Sequence, residues 1–308
     1  MTGAPGLPPG GGLLSRRQAL AALAVLGGGG LLAADGGPLA SPAFTGTGAS
    51  GYTPGGAAGQ AAAFPLSAVR LLDSPFAENR ARNTAYLLFL DPDRMLHTAR
   101  LNYGQPSAAQ PCGGWEAPDS EVRGHNTGHL MSALALTYAN TGDEAARTKG
   151  RYLVGQLAAL QALAPAAGFH PGYLSAFPES FFDRLEAGRP VWSPYYMIHK
   201  YLAGLIDQYQ LAGDGQALDV ATGLADWVAW RTSRLSYAQM QMILENEYGA
   251  LPEALANMYA ITGTERYLAA AQRFYHARVL DPLAAGQDNL PGLHANVTVP
   301  KIISCVRM

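Results

Sequence analysis

Apolar residues along this chain recur at helical spacing, and three helical runs close on one phrase: LALTYANTGD (134–143), LIDQYQLAGD (205–214) and LANMYAITGT (255–264). In each, a Leu and a Tyr four residues on share a helix face: Leu134/Tyr138, Leu205/Tyr209 and Leu255/Tyr259. Gly142, Gly213 and Gly263 then predict helix stops, because glycine takes the left-handed C′ conformation without strain. Asp143, Asp214 and Thr264 predict caps for the helix that follows. That second run has small residues at Gly150, Ala221 and Ala271 and large apolar ones at Leu153, Leu224 and Phe274. The pattern predicts a repeated helical hairpin with core leucines and tyrosines, a unit that buries its face by stacking on copies of itself.

The periodicity predicts a helix from about Glu78 to Phe89, resuming after Pro92, then pairs at 124–140 with 143–162, 195–211 with 214–235, and 247–262 with 264–280. A last helix begins near Asn296, and the KIISCVRM run after Pro300 opens an apolar face without a partner. Residues 65–72 (PLSAVRLL) alternate as a short strand does. Two long loops, 102–120 and 163–193, interrupt the helices, and long ordered loops often carry function. Unequal loops fit a ring of hairpins with a pocket at one mouth better than a regular tetratricopeptide-like solenoid. The expectation is a mainly α protein: an incomplete (α/α)6 toroid over 63–308, truncated at its C-terminus.

Residues 1–62 do not read as part of that core. Ser15-Arg16-Arg17-Gln18-Ala19-Leu20 and the apolar, glycine-diluted stretch to about Ala34 predict a twin-arginine signal peptide over 1–34, and hence secretion. The rival, a transmembrane anchor, needs ~20 uninterrupted apolar residues, which GGGG breaks. Residues 35–62, built from Gly, Ala, Pro and Ser, read as a disordered leader.

A net charge of −2 without a basic stripe argues against a nucleic-acid surface, and no membrane association is expected once the signal is removed. Two cysteines, Cys112 and Cys305, are too few for a disulfide framework. Candidate chemistry gathers at the start of the first helix of each pair: His125 and His129, then Tyr195, Tyr196 and His199, then Glu245 and Glu247, then His294, Asn296 and Lys301. In a ring these positions converge on one mouth, where helix N-termini also point. His, Tyr, Glu and Asn offer the directional donors and acceptors that a neutral polyhydroxylated ligand requires. Each has a plainer reading. His125 and His129 could be a metal half-site, although no zincin glutamate follows, or satisfied core histidines. Glu245 and Glu247, at i and i+2, face different ways on a helix, so one would be a cap or surface carboxylate. Trp115 reads equally as a sugar platform or a loop anchor.

The segments GHNTGHLMSALALTYANTGD, GYLSAFPESFFD, VWSPYYMIHKYLAGLIDQY, LENEYGALPEALANMYAITG and DPLAAGQDNLPGLHANVTVPKII resemble glycoside hydrolase family 127, the β-L-arabinofuranosidase family, from about Pro65 to the last residue. The resemblance implies a catalytic (α/α)6 barrel flanked by β-sandwich domains, the 65–72 strand belonging to a sandwich. It implies a retaining exo-enzyme that releases terminal β-L-arabinofuranose, or a related sugar, from plant-type glycans. Its nucleophile would be a zinc-bound cysteine thiolate and its acid/base a glutamate. By the same resemblance His199 and His294 bind sugar, with a residue of the 125–129 motif as a third and Glu247 and Asn296 beside them. The zinc segment and the acid/base glutamate fall beyond Met308, so neither a catalytic residue nor a zinc ligand is expected in this chain. Cys112 and Cys305 match no family zinc ligand, and Ala250 and Pro252 depart from the pattern. Two alternatives stand beside the enzyme: a non-catalytic carbohydrate-binding remnant, and a helical scaffold for a protein partner.

Overall fold

The structure, a computed structural model, describes residues 63–308, so the twin-arginine segment and the leader lie outside the described residues. Those described hold twelve α-helices and no β-strand. Residues 63–276 and 293–308 belong to one compact unit, and 277–292 to another.

Prolines and short polar side chains set the entry of the chain. Helices α1 (Pro75–Phe89) and α2 (Pro92–Asn102) each start on a proline, with Ser74 and Asp91 side chains accepting from the first-turn amides of Ala77 and Asp93. The expected strand at 65–72 is instead a 3-10 turn, Leu66–Ala68, followed by extended chain. A strand needs a ladder partner, and here Asn140 takes up the backbone: its amide donates to the carbonyls of Leu66 (3.3 Å) and Val69 (3.1 Å).

Three hairpins follow: α3 (His125–Thr141) with α4 (Glu144–Ala162), α6 (Pro194–Ala212) with α7 (Gly215–Ser233), and α9 (Leu251–Thr262) with α10 (Glu265–Arg273). Each first helix ends on its glycine, at φ of 74° (Gly142), 67° (Gly213) and 69° (Gly263). Asp143 and Asp214 cap the second helices, but Thr264 makes no side-chain cap. The paired residues divide their work. Leu134, Leu205 and Leu255 are fully buried, whereas Tyr138, Tyr209 and Tyr259 are half-buried at the hairpin seams, a correction to their expected core role. Tyr138 lies under the Arg147 guanidinium (4.9 Å), and the Tyr259 hydroxyl donates to Glu265 (3.2 Å).

Two boundaries move. The 247–262 helix begins only at Leu251, because Gly249 takes a left-handed φ of 59° and Pro252 suits a first turn, not an interior. Glu245 and Glu247 therefore sit in a loop, not on a helix. The 264–280 helix stops at Arg273, where Phe274 and Tyr275 fall back to i−3 bonds. Two short helices add to the expected set: α5 (Ser180–Glu186) lies within the expected 163–193 loop, and α8 (Tyr237–Ile243) lies between the second and third pairs. Helix α5 is tied down by Arg231 of α7, which reaches Glu179 (3.2 Å), Asp183 (2.6 Å) and Glu186 (2.6 Å) from a buried position. In the separate unit, α11 (Ala277–Ala284) carries Pro282, and the Asn289 amide donates to the carbonyls of Arg278 and Val279.

Helix α12 (Ala295–Arg307) completes a layer in which α3, α6, α9 and α12 pack side by side in chain order, while α4, α7 and α10 form a second layer against them. On α12, Val299, Ile303 and Val306 remain exposed. No helix of the described residues is long and apolar enough to cross a membrane.

The closest approach within the first layer is backbone on backbone. A Cβ on Gly204 would lie 2.5 Å from the Gly128 carbonyl oxygen, and one on Gly128 would strike the Lys200 carbonyl. Gly128→Ala should therefore destabilise the fold by about 3 kcal/mol. Gly215→Ala, where an added Cβ meets nothing within 4 Å, should shift stability by less than about 1 kcal/mol. Urea unfolding of the two variants compares them directly.

Candidate functional site

The α3–α6 crossing puts the N-terminal turns of these helices beside each other, and the expected histidines meet there. The His125 ring lies 5.9 Å from His129 and 6.3 Å from Tyr196. His125 is 5% exposed, and its Nδ1 faces both the Val122 carbonyl (2.8 Å) and a Glu116 carboxylate oxygen (3.0 Å). Two acceptors at one nitrogen fix the ring proton on Nδ1. His125 is thus a satisfied, buried histidine on one side and a wall of the cluster on the other. Glu116 also accepts from the backbone amides of Gly124 (2.6 Å) and Asn126 (2.8 Å), so a loop carboxylate caps α3, whose own N-cap, Gly124, has no side chain.

His199 stands one helix over, half-buried, and its Nδ1 accepts from the Ala250 amide (3.3 Å). That bond places the neutral ring's proton on Nε2, the opposite tautomer to His125. The left-handed turn at Gly249 makes the contact possible, since a Cβ there would lie 2.6 Å from His199 Nδ1. Lys200 lies over the Tyr196 ring (4.4 Å). Burial, then the Lys200 charge, then His129 hold the His199 imidazole well below its ordinary range. His129 is open to solvent yet ringed by protein mass. Partial desolvation, with Lys200 and His125 adding repulsion, takes it down to about 4. Lys200 is itself lowered by burial, which the nearby Glu247 and Glu253 carboxylates oppose.

Glu247 links this group to α12. Burial raises its carboxyl above the usual range, against the pull of His294, Lys200 and Lys301. The Asn296 amide stands 3.5 Å from a Glu247 oxygen, and His294 and Asn296 are both exposed at the α12 start. His125, His129 and His199 thus stand near one another, and Glu247 has Lys200 on one side and His294 and Asn296 on the other. Tyr195 does not join them, being buried against Phe182 (4.9 Å) and Phe274 (5.2 Å). Glu245 and Lys301 serve the interior. Lys301, 4% exposed, donates to His276 Nδ1 (2.7 Å), and His276 Nε2 donates to Glu245 (3.2 Å).

Sequence reasoning missed Lys200 and Glu116. A lysine directly after His199 in an otherwise apolar helix was a signal for the first. Glu116 gave none, because its partners come from the next helix. Surface cavities of about 520 Å³ (along Pro92, Thr148 and Lys149) and about 340 Å³ (along Gln161, Gly172 and Gly223) lie away from the cluster. In the first, Lys149 is occupied with the carbonyls of Leu87, Leu88 and Leu90 at the end of α1.

The zinc thiolate that the resemblance implies does not fit the residues described. Burial pushes the thiols of Cys112 and Cys305 up, away from the thiolate a metal needs. Cys112 rests 3.9 Å from the Met95 sulfur, and among the described residues no three His, Cys, Asp or Glu side chains gather to hold a metal. No step is derived through zinc.

With this geometry in place, comparison with known proteins is informative. Residues 68–308 match the family described as β-L-arabinofuranosidase, GH127 catalytic domain, and the chain belongs to that family. A solved structure described as a GH127 beta-arabinofuranosidase is 19% identical at a TM-score of 0.43, covering 70% of this chain and 34% of that one. The chain thus spans about a third of that relative's length. No curated protein matches it.

The depressed histidines give a pH signature. Between an unfolded value near 6.5 and the folded value of about 4 for His129, the unfolded chain binds more protons, so stability falls as pH drops through that window. The urea midpoint should decline from pH 6.5 to pH 4, and His129→Gln should flatten part of the decline. A midpoint level across this range would contradict the assignment.

Proposed function

We propose that this chain forms the carbohydrate-binding face of a family 127 catalytic domain, whose activity is the retaining release of terminal β-L-arabinofuranose, or a related sugar, from plant-type glycans. One observation carries the reading. The starts of α3, α6 and α12, with the loop before α9, contribute three imidazoles of the expected set, a half-buried carboxyl, a lysine and an amide that neighbour one another. A sugar ring presents hydroxyls that both donate and accept, and this set answers them in both directions. The His129 and His199 imidazoles, held low by burial and by Lys200, stay uncharged at neutral pH and so suit a neutral ligand better than an anion. Extension of the helix layers into a closed six-hairpin ring, a sandwich domain at the N-terminal side, and export through the twin-arginine route belong to the same proposal.

Under this reading the chain's own residues bind and orient. His199 donates from Nε2, His125 offers Nε2 toward the cluster, and Glu247 with Asn296 takes the hydroxyls on the α12 side. A second reading is a carbohydrate-binding module without turnover. Release of free sugar from methyl β-L-arabinofuranoside by the chain, followed by NMR, would overturn the second reading.

His199→Ala and His294→Ala should each weaken binding of methyl β-L-arabinofuranoside by roughly tenfold, measured by isothermal titration. Their unfolding midpoints should stay close to that of the unaltered chain. Unchanged affinity in both variants would remove these residues from the site and the carbohydrate reading with them.

A further inference from the structure

Two tryptophans at the rim of the cluster are exposed, yet both are fixed in place. Trp115 is 62% exposed and Trp192 47%, and their rings meet edge to face at 5.9 Å and 81°. Burial explains neither. Trp115 belongs to a 3-10 turn, Gly114–Glu116, whose last residue is the buried carboxylate that caps α3. Anchoring Glu116 therefore anchors the indole beside it. The Trp192 amide donates to a Glu121 oxygen (2.9 Å), and the other oxygen of Glu121 pairs with Arg184 (2.7 Å). The next residue, Ser193, is buried and is the one non-glycine at positive φ (46°) among the described residues. Backbone strain of this kind persists where the surroundings over-determine it, and it clusters at ligand sites.

Two perpendicular indoles form a corner. It is continuous with the polar cluster, since Trp115 lies 5.8 Å from the His125 ring. Sugar rings carry flat C–H faces that stack on aromatic faces, while their hydroxyls stay at the edge for water or polar side chains. A corner receives one ring on its face and its edge together. Two rings flanked by His125, Glu121 and Arg184 fall far short of the roughly 1,000 Å² that a protein interface needs.

We infer that Trp115 and Trp192 form a second sugar subsite that takes the residue next to the terminal sugar, so that the chain recognises a glycan of two or more units. This rests on the carbohydrate reading above and goes beyond it by naming the length of ligand and the side chains that measure it. The backbone that carries each indole is held before the ligand arrives, so less ordering opposes the stacking.

Isothermal titration of the full chain with methyl β-L-arabinofuranoside and with a β-linked L-arabinofuranosyl disaccharide tests it. The unaltered chain should prefer the disaccharide by about tenfold, and the preference should fall to about twofold or less in Trp115→Ala and in Trp192→Ala. Trp115→Phe and Trp192→Phe should retain part of it. Circular dichroism melts of all four variants, expected within about 3 °C of the unaltered chain, separate a lost contact from a lost fold. An unaltered chain without the preference, or alanine variants that keep it, would overturn the subsite and leave the carbohydrate reading standing. A folded chain that binds neither sugar would overturn that reading and the subsite together.

Discussion

At Gly128 and Gly204 the backbones of α3 and α6 approach until no side chain fits between them, and the meeting of His125, His129, His199 and Lys200 depends on that crossing. Helices separated by ordinary side chains lie about 8–10 Å apart, and the absence of a Cβ brings them nearer. The consequence is local. His125 and His129 stand on either side of Gly128, and His199 and Lys200 one turn before Gly204. The same contact that packs the layer draws two imidazoles from the α3 start, and an imidazole and a lysine from the α6 start, into one another's fields. The low proton affinity of His129 and His199 is then a product of packing, because burial and like charge act together.

Around this crossing, charge is used to hold irregular chain in place. Glu116 caps a helix from a loop, Arg231 gathers three carboxylates around α5, and Lys301 passes a hydrogen bond through His276 to Glu245. Each is buried or nearly so, and each has its partners. Such groups fix geometry more than they stabilise, since removing a single partner would strand the other. His129, His294, Asn296 and the two indoles hold no irregular chain in this way, and they are the residues left facing outward at the cluster.

The chain belongs to the β-L-arabinofuranosidase GH127 catalytic-domain family, and the proposed carbohydrate reading rests on that membership together with the physical character of the cluster. Neutral donors and acceptors on a rigid frame suit a ligand that carries no charge. Little of the frame needs to move when such a ligand arrives, which favours affinity over adaptability.

The hairpins and their glycine stops were legible in the chain because period and helix-stopping chemistry are local. Leu134, Leu205 and Leu255 could be placed in the core from spacing alone, and the likeness of several long segments to one family was equally a property of the string. The histidine set was visible as repeats laid over one another. Other features needed the fold. Whether the tyrosines are core or seam depends on Arg147 and Glu265 in the following helix, and the start of α9 depends on a turn that Gly249 makes against His199. The 65–72 segment alternated like a strand but found Asn140 in place of a ladder. Above all, Glu116, Lys200 and the tryptophan corner act through partners on other elements. Their roles are set by through-space distance, a quantity that exists only once Gly128 and Gly204 have brought the helices together.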